Sequence, residues 1–554
     1  MSNYQAKNNA AEPEVAPKRR RKFWIASGVA GLTGVVSIAA VGISTGAGAV
    51  GTDGLRWSTA QQVSKDGDQG AVAPEEHKGK KDDRRDENKD DRRDDKREHG
   101  KEVPCDTDKL IQSIIFANEN HGGVLNLAKG CTYKLTRSDT SDGSGPNGLP
   151  VITESVVLKG HDTKIVRDAT GEDFRILNVG RGGNLTVKGL TIKGGQTSPF
   201  AVSPATAETP EAVWSRFSNS VEATKAAEAK QAYLPLLQAT PKGIAVKAKA
   251  TQANGDVSVL AEPESNDGAG VLVQPGGTAS FEETHIVANQ AGGVGGGLAN
   301  FGKASLYHTT VADNTAFLYG GGIFNAGVLR VAASTVKNND AIIGGGGIAN
   351  GAAFIFRSDI DGGTAWIEKT EITSNEVLGF GGGLLDIEGN TTVKHSKIAN
   401  NTAVLAGGGV AAAGDSSLEL QHVEVIKNTT VGVGGGLALA FGAIASVEHS
   451  KIDENKAGFF GAGVFNFLGQ ATFRNSTING NRAVGPLGVG GGIFTIGGEI
   501  DLEKTKVAYN FATLRPGGVF SLLTDVEVDD KSAITANKPT NCEGTITPIP
   551  NCFG

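Results

Sequence analysis

Between His285 and Asn537 one phrase recurs ten times: an aliphatic residue, two variable residues, then asparagine. The asparagines are Asn289, Asn314, Asn339, Asn375, Asn401, Asn428, Asn455, Asn481, Asn510 and Asn537. Their spacing is 25 to 29 residues apart from one gap of 36. Ser or Thr stands two residues before the aliphatic in nine of the ten copies, Val423 being the exception. Between copies runs GGG followed by an aliphatic, as in GGGLANFG and GGGIFNAG. A period this short means a stack of identical units. Each unit holds three runs of four to six residues that alternate apolar and small polar, bounded by Gly or Asn, with no room for a helix. The pattern predicts an all-β parallel β-helix solenoid.

Stacked coils lie about 4.8 Å apart, so a residue type repeated at one position becomes a row along the solenoid. Ile323, Ile348, Leu384, Val410 and their counterparts fill the interior, while asparagines at a bend accept left-handed backbone angles and pass amide hydrogen bonds from coil to coil. The GGG runs allow turns that a Cβ would obstruct.

The repeat resembles that of secreted actinobacterial right-handed parallel β-helix proteins with pectate-lyase-like folds. It is more loosely similar to the GG(A/I/L)xxN repeats of polymorphic outer-membrane proteins. The likeness covers about residues 103–554 and includes VPCDTDKLIQSIIFANENHGG, LNLAKGCTYKLT, NGLPVIT and NKPTNCEGT. It specifies fold and leaves activity open, because this architecture hosts lyases, hydrolases and adhesins alike.

The remainder of the chain divides by composition. A basic cluster, Lys18 to Lys22, precedes an apolar run over residues 23–43 and an A-x-A signal at Ala47-Gly48-Ala49. Residues 1–49 are therefore expected to be a cleaved signal peptide or an uncleaved anchor, the membrane being met only through residues 23–43. Either way the solenoid lies outside the cytoplasm, extracellular or at the cell surface. Residues 50–102 read as a disordered linker whose charges nearly balance and which has no apolar face to bury. The net charge of -7 argues against nucleic acid as the main partner.

Residues 103–131 are expected to be an N-terminal helical cap, with Asp106 and Asp108 as N-caps and an apolar stripe of Leu110, Ile111, Ile114 and Ile115. Four cysteines allow three pairings. With one pair bracketing the helix and the other beyond the last coil, Cys105–Cys131 and Cys542–Cys552 are expected. Residues 197–267 break the repeat with a small α+β insertion. A second insertion at 352–363 accounts for the long gap.

Three candidate sites follow. In pectate-lyase-like folds the cleft lies along one strand face flanked by such loops, so the resemblance points to the strands after GGG. Strand alternation directs Phe324, Leu385, Phe465, Phe494 and Phe520 outward there as a floor for a sugar ring or partner. Lyases of this fold need clustered carboxylates for Ca²⁺ and an Arg or Lys base. The candidate metal set is Asp359, Asp361, Asp386 and Glu388, and the candidate catalytic residues are Arg357 and Asp386. No N-T-D, D-D and G-H-G set of the polygalacturonase type occurs on successive coils. The third candidate is a column three residues before the repeated aliphatic, which places His395, His422 and His449 on adjacent rungs at or near a bend. It suits a weak metal site, a cationic stripe for anionic wall polymers, or a plain side-chain row. The expectation is a binding or structural module for carbohydrate or cell-wall polymer with no required cofactor. A calcium-dependent polysaccharide lyase is the alternative.

Overall fold

The computed structural model describes residues 100–141, 143–198, 263–352 and 360–554. They form a solenoid of about 13 turns, a right-handed parallel β-helix. At the strand spacing of about 4.8 Å this is roughly 60 Å of stacked coils. One coil shows the construction: Ile323–Asn325, Val328–Ala332, Thr335–Lys337 and Asp340–Ala341, each pairing in parallel with the next coil. The coil thus has four short strands rather than the expected three. The two residues after each ladder asparagine from Asn289 to Asn510 pair as well and build a nine-stranded sheet beside an eleven-stranded and a 25-stranded one. In the early coils, Ser155–Arg167 and Asn184–Lys193 keep strand pairing on both sides of the corner, which they turn through Asp162 and Gly189 at φ +55° and +65° with a shift of register, and this joins two strand columns into the largest sheet.

Left-handed corners make the bends. Glu283, His308, Ala333, Lys369, His395 and their successors have φ near +50°, and a second set from Ala288 to Ala536 immediately precedes the ladder asparagines. Asn428 shows why asparagine follows that second corner. Its backbone N–H and Nδ2 donate to Asn455 Oδ1 at 2.9 and 3.1 Å. Nδ2 also donates to Ile398 O, while Oδ1 accepts from the N–H and Nδ2 of Asn401. Each buried amide is satisfied by its neighbours, which removes the cost of burying it. The row starts at Gly195, whose N–H donates to Asn289 Oδ1, and ends on Asn541, outside the tenfold repeat.

A hydroxyl row lies beneath the first corner. The Thr309 N–H donates to Ser334 Oγ, Thr370 to Ser396, and Ser450 to Ser476. Inside, one continuous apolar core runs from Val103 to Ile549 and includes Leu110, Ile114 and Ala117 of α1 (Thr107–Glu119). Asp106 accepts from the Lys109 N–H at the start of α1. Of the expected apolar stripe, Leu110 and Ile114 are buried and Ile115 faces solvent.

Cys105–Cys131 and Cys542–Cys552 are both disulfides, as expected. Most of the 197–267 insertion, including its expected helix and hairpin, lies outside the described residues. Its two roots are held firmly. Thr197 Oγ1 donates to Asn266 O at 2.6 Å, and the fully buried Arg175 donates to the carbonyls of Ser265 and Asp267. No helix among the described residues is long and apolar enough to cross a membrane, and residues 1–99 are not among them.

Candidate interaction face

The strands after GGG do not present the expected floor. Phe324, Leu385, Phe465 and Phe494 are buried and Phe520 is half-buried, so contrary to expectation they form no open contact surface. Alternation does point them away from the central core. What covers them is the chain just before each GGG, which lies across the sheet and forms its own column of bridges, Tyr319–Gly344–Phe380–Ala406–Val433. Leu318, Tyr319, Phe380, Ala406 and Phe459 pack on the outward residues and make a second apolar layer. Glycine permits the reversal. Gly320 has φ +68°, and a Cβ there would stand 2.4 Å from Ile323 O.

The acidic candidates separate in space. Asp386 is fully buried, in register with Asn350 at the end of an internal row, Asn300–Asn325–Asn350. Its Oδ1 accepts from the Gly389 N–H at 3.0 Å, and Asn350 Nδ2 lies 3.4 Å from Oδ2. Burial pushes its carboxyl up to about 7, against hydrogen bonds that favour the charged form. A carboxylate enclosed in this way cannot reach a polymer outside, which corrects its place among the catalytic and metal candidates. Asp361 is exposed, Glu388 is half-buried at a left-handed corner, and Arg357 and Asp359 lie outside the described residues. Among the described residues no group of three or more His, Cys, Asp or Glu could hold a metal ion.

The histidine column fares differently. His395, His422 and His449 all occupy the left-handed corner, at φ +48°, +54° and +49°, and all three are exposed. Successive ring centroids are 4.9 Å apart, the first pair stacked at 15° and the second tilted at 35°. The bend expected at or near this column is therefore where the imidazoles sit.

Beside this corner the outer face of the largest sheet lies open, and two aromatics stand on it. Tyr307 is 52% exposed and Trp366 is 41% exposed. The Arg330 guanidinium lies 5.1 Å from the Trp366 ring centroid, and Tyr307 meets His308 edge-on at 4.1 Å. Trp366 pairs with Arg330, and Arg330 with Ser305 two residues from Tyr307. The two aromatics are thus offset by two strand spacings and two residues along the strand, roughly 12 Å. Ser280 and Ser305 near Tyr307 bond to each other at 3.0 Å, Thr392 pairs with Trp366, and Glu282 and Glu368 stand on the same face. Reading the motifs misses these aromatics because they recur in no column. The signal is nonetheless present: Trp366 lies between inward-pointing Ala365 and Ile367, so alternation places it outside.

The fold and this open face define a parallel β-helix repeat protein. The model of the family described as the right handed beta helix region matches residues 346–505. Two solved structures are similar at low level. One is the mannuronan C-5 epimerase AlgE6 A-module of Azotobacter vinelandii, at 12% identity and TM-score 0.30, covering 80% of this chain and 95% of that one. The other is PfbA, a surface adhesin of Streptococcus pneumoniae, at 8% identity and TM-score 0.29, covering 77% and 88%. Similarity of that degree carries no functional assignment. No curated protein matches the sequence.

Proposed function

We propose that this solenoid is a binding or structural module whose ligand is carbohydrate or a cell-wall polymer, and that the ligand lies on the open face of the largest sheet. The observation that carries the reading is the pair of exposed aromatics, Tyr307 and Trp366, set among hydroxyl and charged side chains on the paired strands of one sheet. An aromatic ring covers the C–H face of a pyranose, at Trp366 on the side away from Arg330, while neighbouring hydroxyls meet its oxygens, and a hydrogen-bonded sheet loses little entropy on binding. The pair's offset is of the order of a disaccharide's length. The same reading takes the protein to be exported, through an N-terminal signal or anchor in residues 1–49. All four cysteines are disulfide-bonded, which suits an oxidising compartment. It takes α1, with three residues in the solenoid core, as the cap of the first coil, which a stack of strands requires.

Pull-down of the full chain on insoluble cell-wall fractions tests the reading. Wild type is expected to be retained at low salt, and Tyr307→Ala with Trp366→Ala is expected to be released. Absence of retention on every fraction would count against a binding module. Calcium-dependent release of unsaturated product from acidic polysaccharides would replace it with the lyase.

A further inference from the structure

The corner beside the aromatic face carries three consecutive imidazoles, and most of the charged groups around them are paired with one another. Lys394 meets Glu419 at 3.2 Å, and Lys451 meets Glu424 at 2.9 Å. Arg474 bridges Glu448 and Glu503 at 3.4 and 2.8 Å, and Lys369 lies 3.5 Å from Glu368. The remaining charges on the strands meeting at this corner are Glu371, Lys397 and Asp453. From Glu368 to Arg474, the outward carboxylates on these strands exceed the cations by one, six against five. Three imidazolium charges reverse the sign of the strip. Their 4.9 Å spacing sets those charges in a line along the solenoid axis.

From this arrangement we propose that the His395–His422–His449 column makes the face a proton-gated receptor for a linear polyanionic glycan. The inference rests on the carbohydrate-binding reading above and specifies its ligand class and regulation. A polymer with a negative group on each repeat lies along the row, each group meeting imidazole N–H donors, while Trp366 on the coil of Lys369 takes a sugar ring. Histidine ordinarily changes charge between about pH 5 and 8. With the three imidazoles neutral the strip carries a slight negative excess and repels the polyanion. With them protonated the strip attracts the same chain. The shared chemistry is a repeated anion, supplied by uronate carboxylates or by phosphodiesters.

The test uses the full chain and three immobilised probes: polygalacturonate, a phosphomannan with sugar phosphodiesters, and neutral amylose as a control. Retention on at least one polyanion is expected to be roughly tenfold stronger at about pH 5.5 than at about pH 8, and to weaken with salt. The probe that binds identifies the anion. The triple variant His395→Asn, His422→Asn, His449→Asn is expected to lose the pH dependence. Asparagine already occupies this corner at Asn475 with φ +48°, so the backbone is kept, and a thermal melt checks it. Equal polyanion retention at both pH values, or pH dependence that survives the triple variant, overturns the inference. Retention on amylose with none on either polyanion overturns it too, but leaves the carbohydrate-binding reading standing. Retention on no probe, together with none on wall fractions, overturns both.

Discussion

Asp386 shows what one residue's position in a row can do. An asparagine there would extend the internal amide row from Asn350, whereas the carboxyl is held up at about 7 by burial. Asp340 is raised to about 7 as well, by burial and then by the charges of Glu376 and Asp313. A carboxyl whose folded pKa lies above its unfolded value near 4 binds its proton more tightly when folded. Its contribution is complete below about pH 4 and is lost as pH rises through about 7. The solenoid is therefore expected to gain stability on acidification across that window, with Asp453, also raised by burial, contributing in the same direction. Asp386→Asn is expected to stabilise the protein by about 2–4 kcal/mol at pH 8 and by little near pH 4. Denaturant melts at the two values check it, and an unchanged pH slope in the variant would contradict the account.

At the scale of elements, the two side-chain rows differ in their tolerance of a gap. The asparagine row is continuous, and Asn428→Ala would strand the N–H and Nδ2 of Asn401 and the carbonyl of Ile398 together. Unpaired buried groups cost about 1–3 kcal/mol each, so a loss of roughly 3–5 kcal/mol is expected, read as a shift in the denaturant midpoint with unchanged slope. The hydroxyl row already has a gap at Val423, which donates its N–H to Ser450 Oγ but has no hydroxyl to offer Ser396. Val423→Thr is expected to close the gap and add about 1 kcal/mol. A destabilised variant would mean that the methyl lost from the core outweighs the new bond. Both rows are legible in the sequence because each repeats at a fixed offset from an aliphatic. The fold-back before GGG is not. Its residues vary from Phe317-Leu318-Tyr319 to Val431-Gly432-Val433, and only the glycines at positive φ mark where the chain reverses.

For the whole molecule, each coil touches only its neighbours, so stability is close to a sum over coils. Removing residues 402–428 takes out one complete period between Asn401 and the equivalent Asn428. The shortened chain is expected to fold with the same secondary structure by circular dichroism and a slightly lower melting temperature. Loss of cooperative unfolding would show longer-range dependence than the register implies. The period, with its asparagine, hydroxyl and aliphatic columns, is enough by itself to determine a parallel β-helix, because identical units can satisfy their buried amides only by stacking in register. It also determines the corner that carries the histidines, since the inward aliphatics on either side, such as Val393 and Ile398, are five residues apart, an odd spacing that a straight alternating strand cannot give. Which sheet face meets solvent was decided only by the tertiary structure. Alternation tells which side chains leave the central core, yet it cannot tell whether another part of the coil lies over them. Here the segment before GGG seals the face bearing Phe324 and Phe465, and leaves open the one bearing Tyr307, Trp366 and the imidazole row.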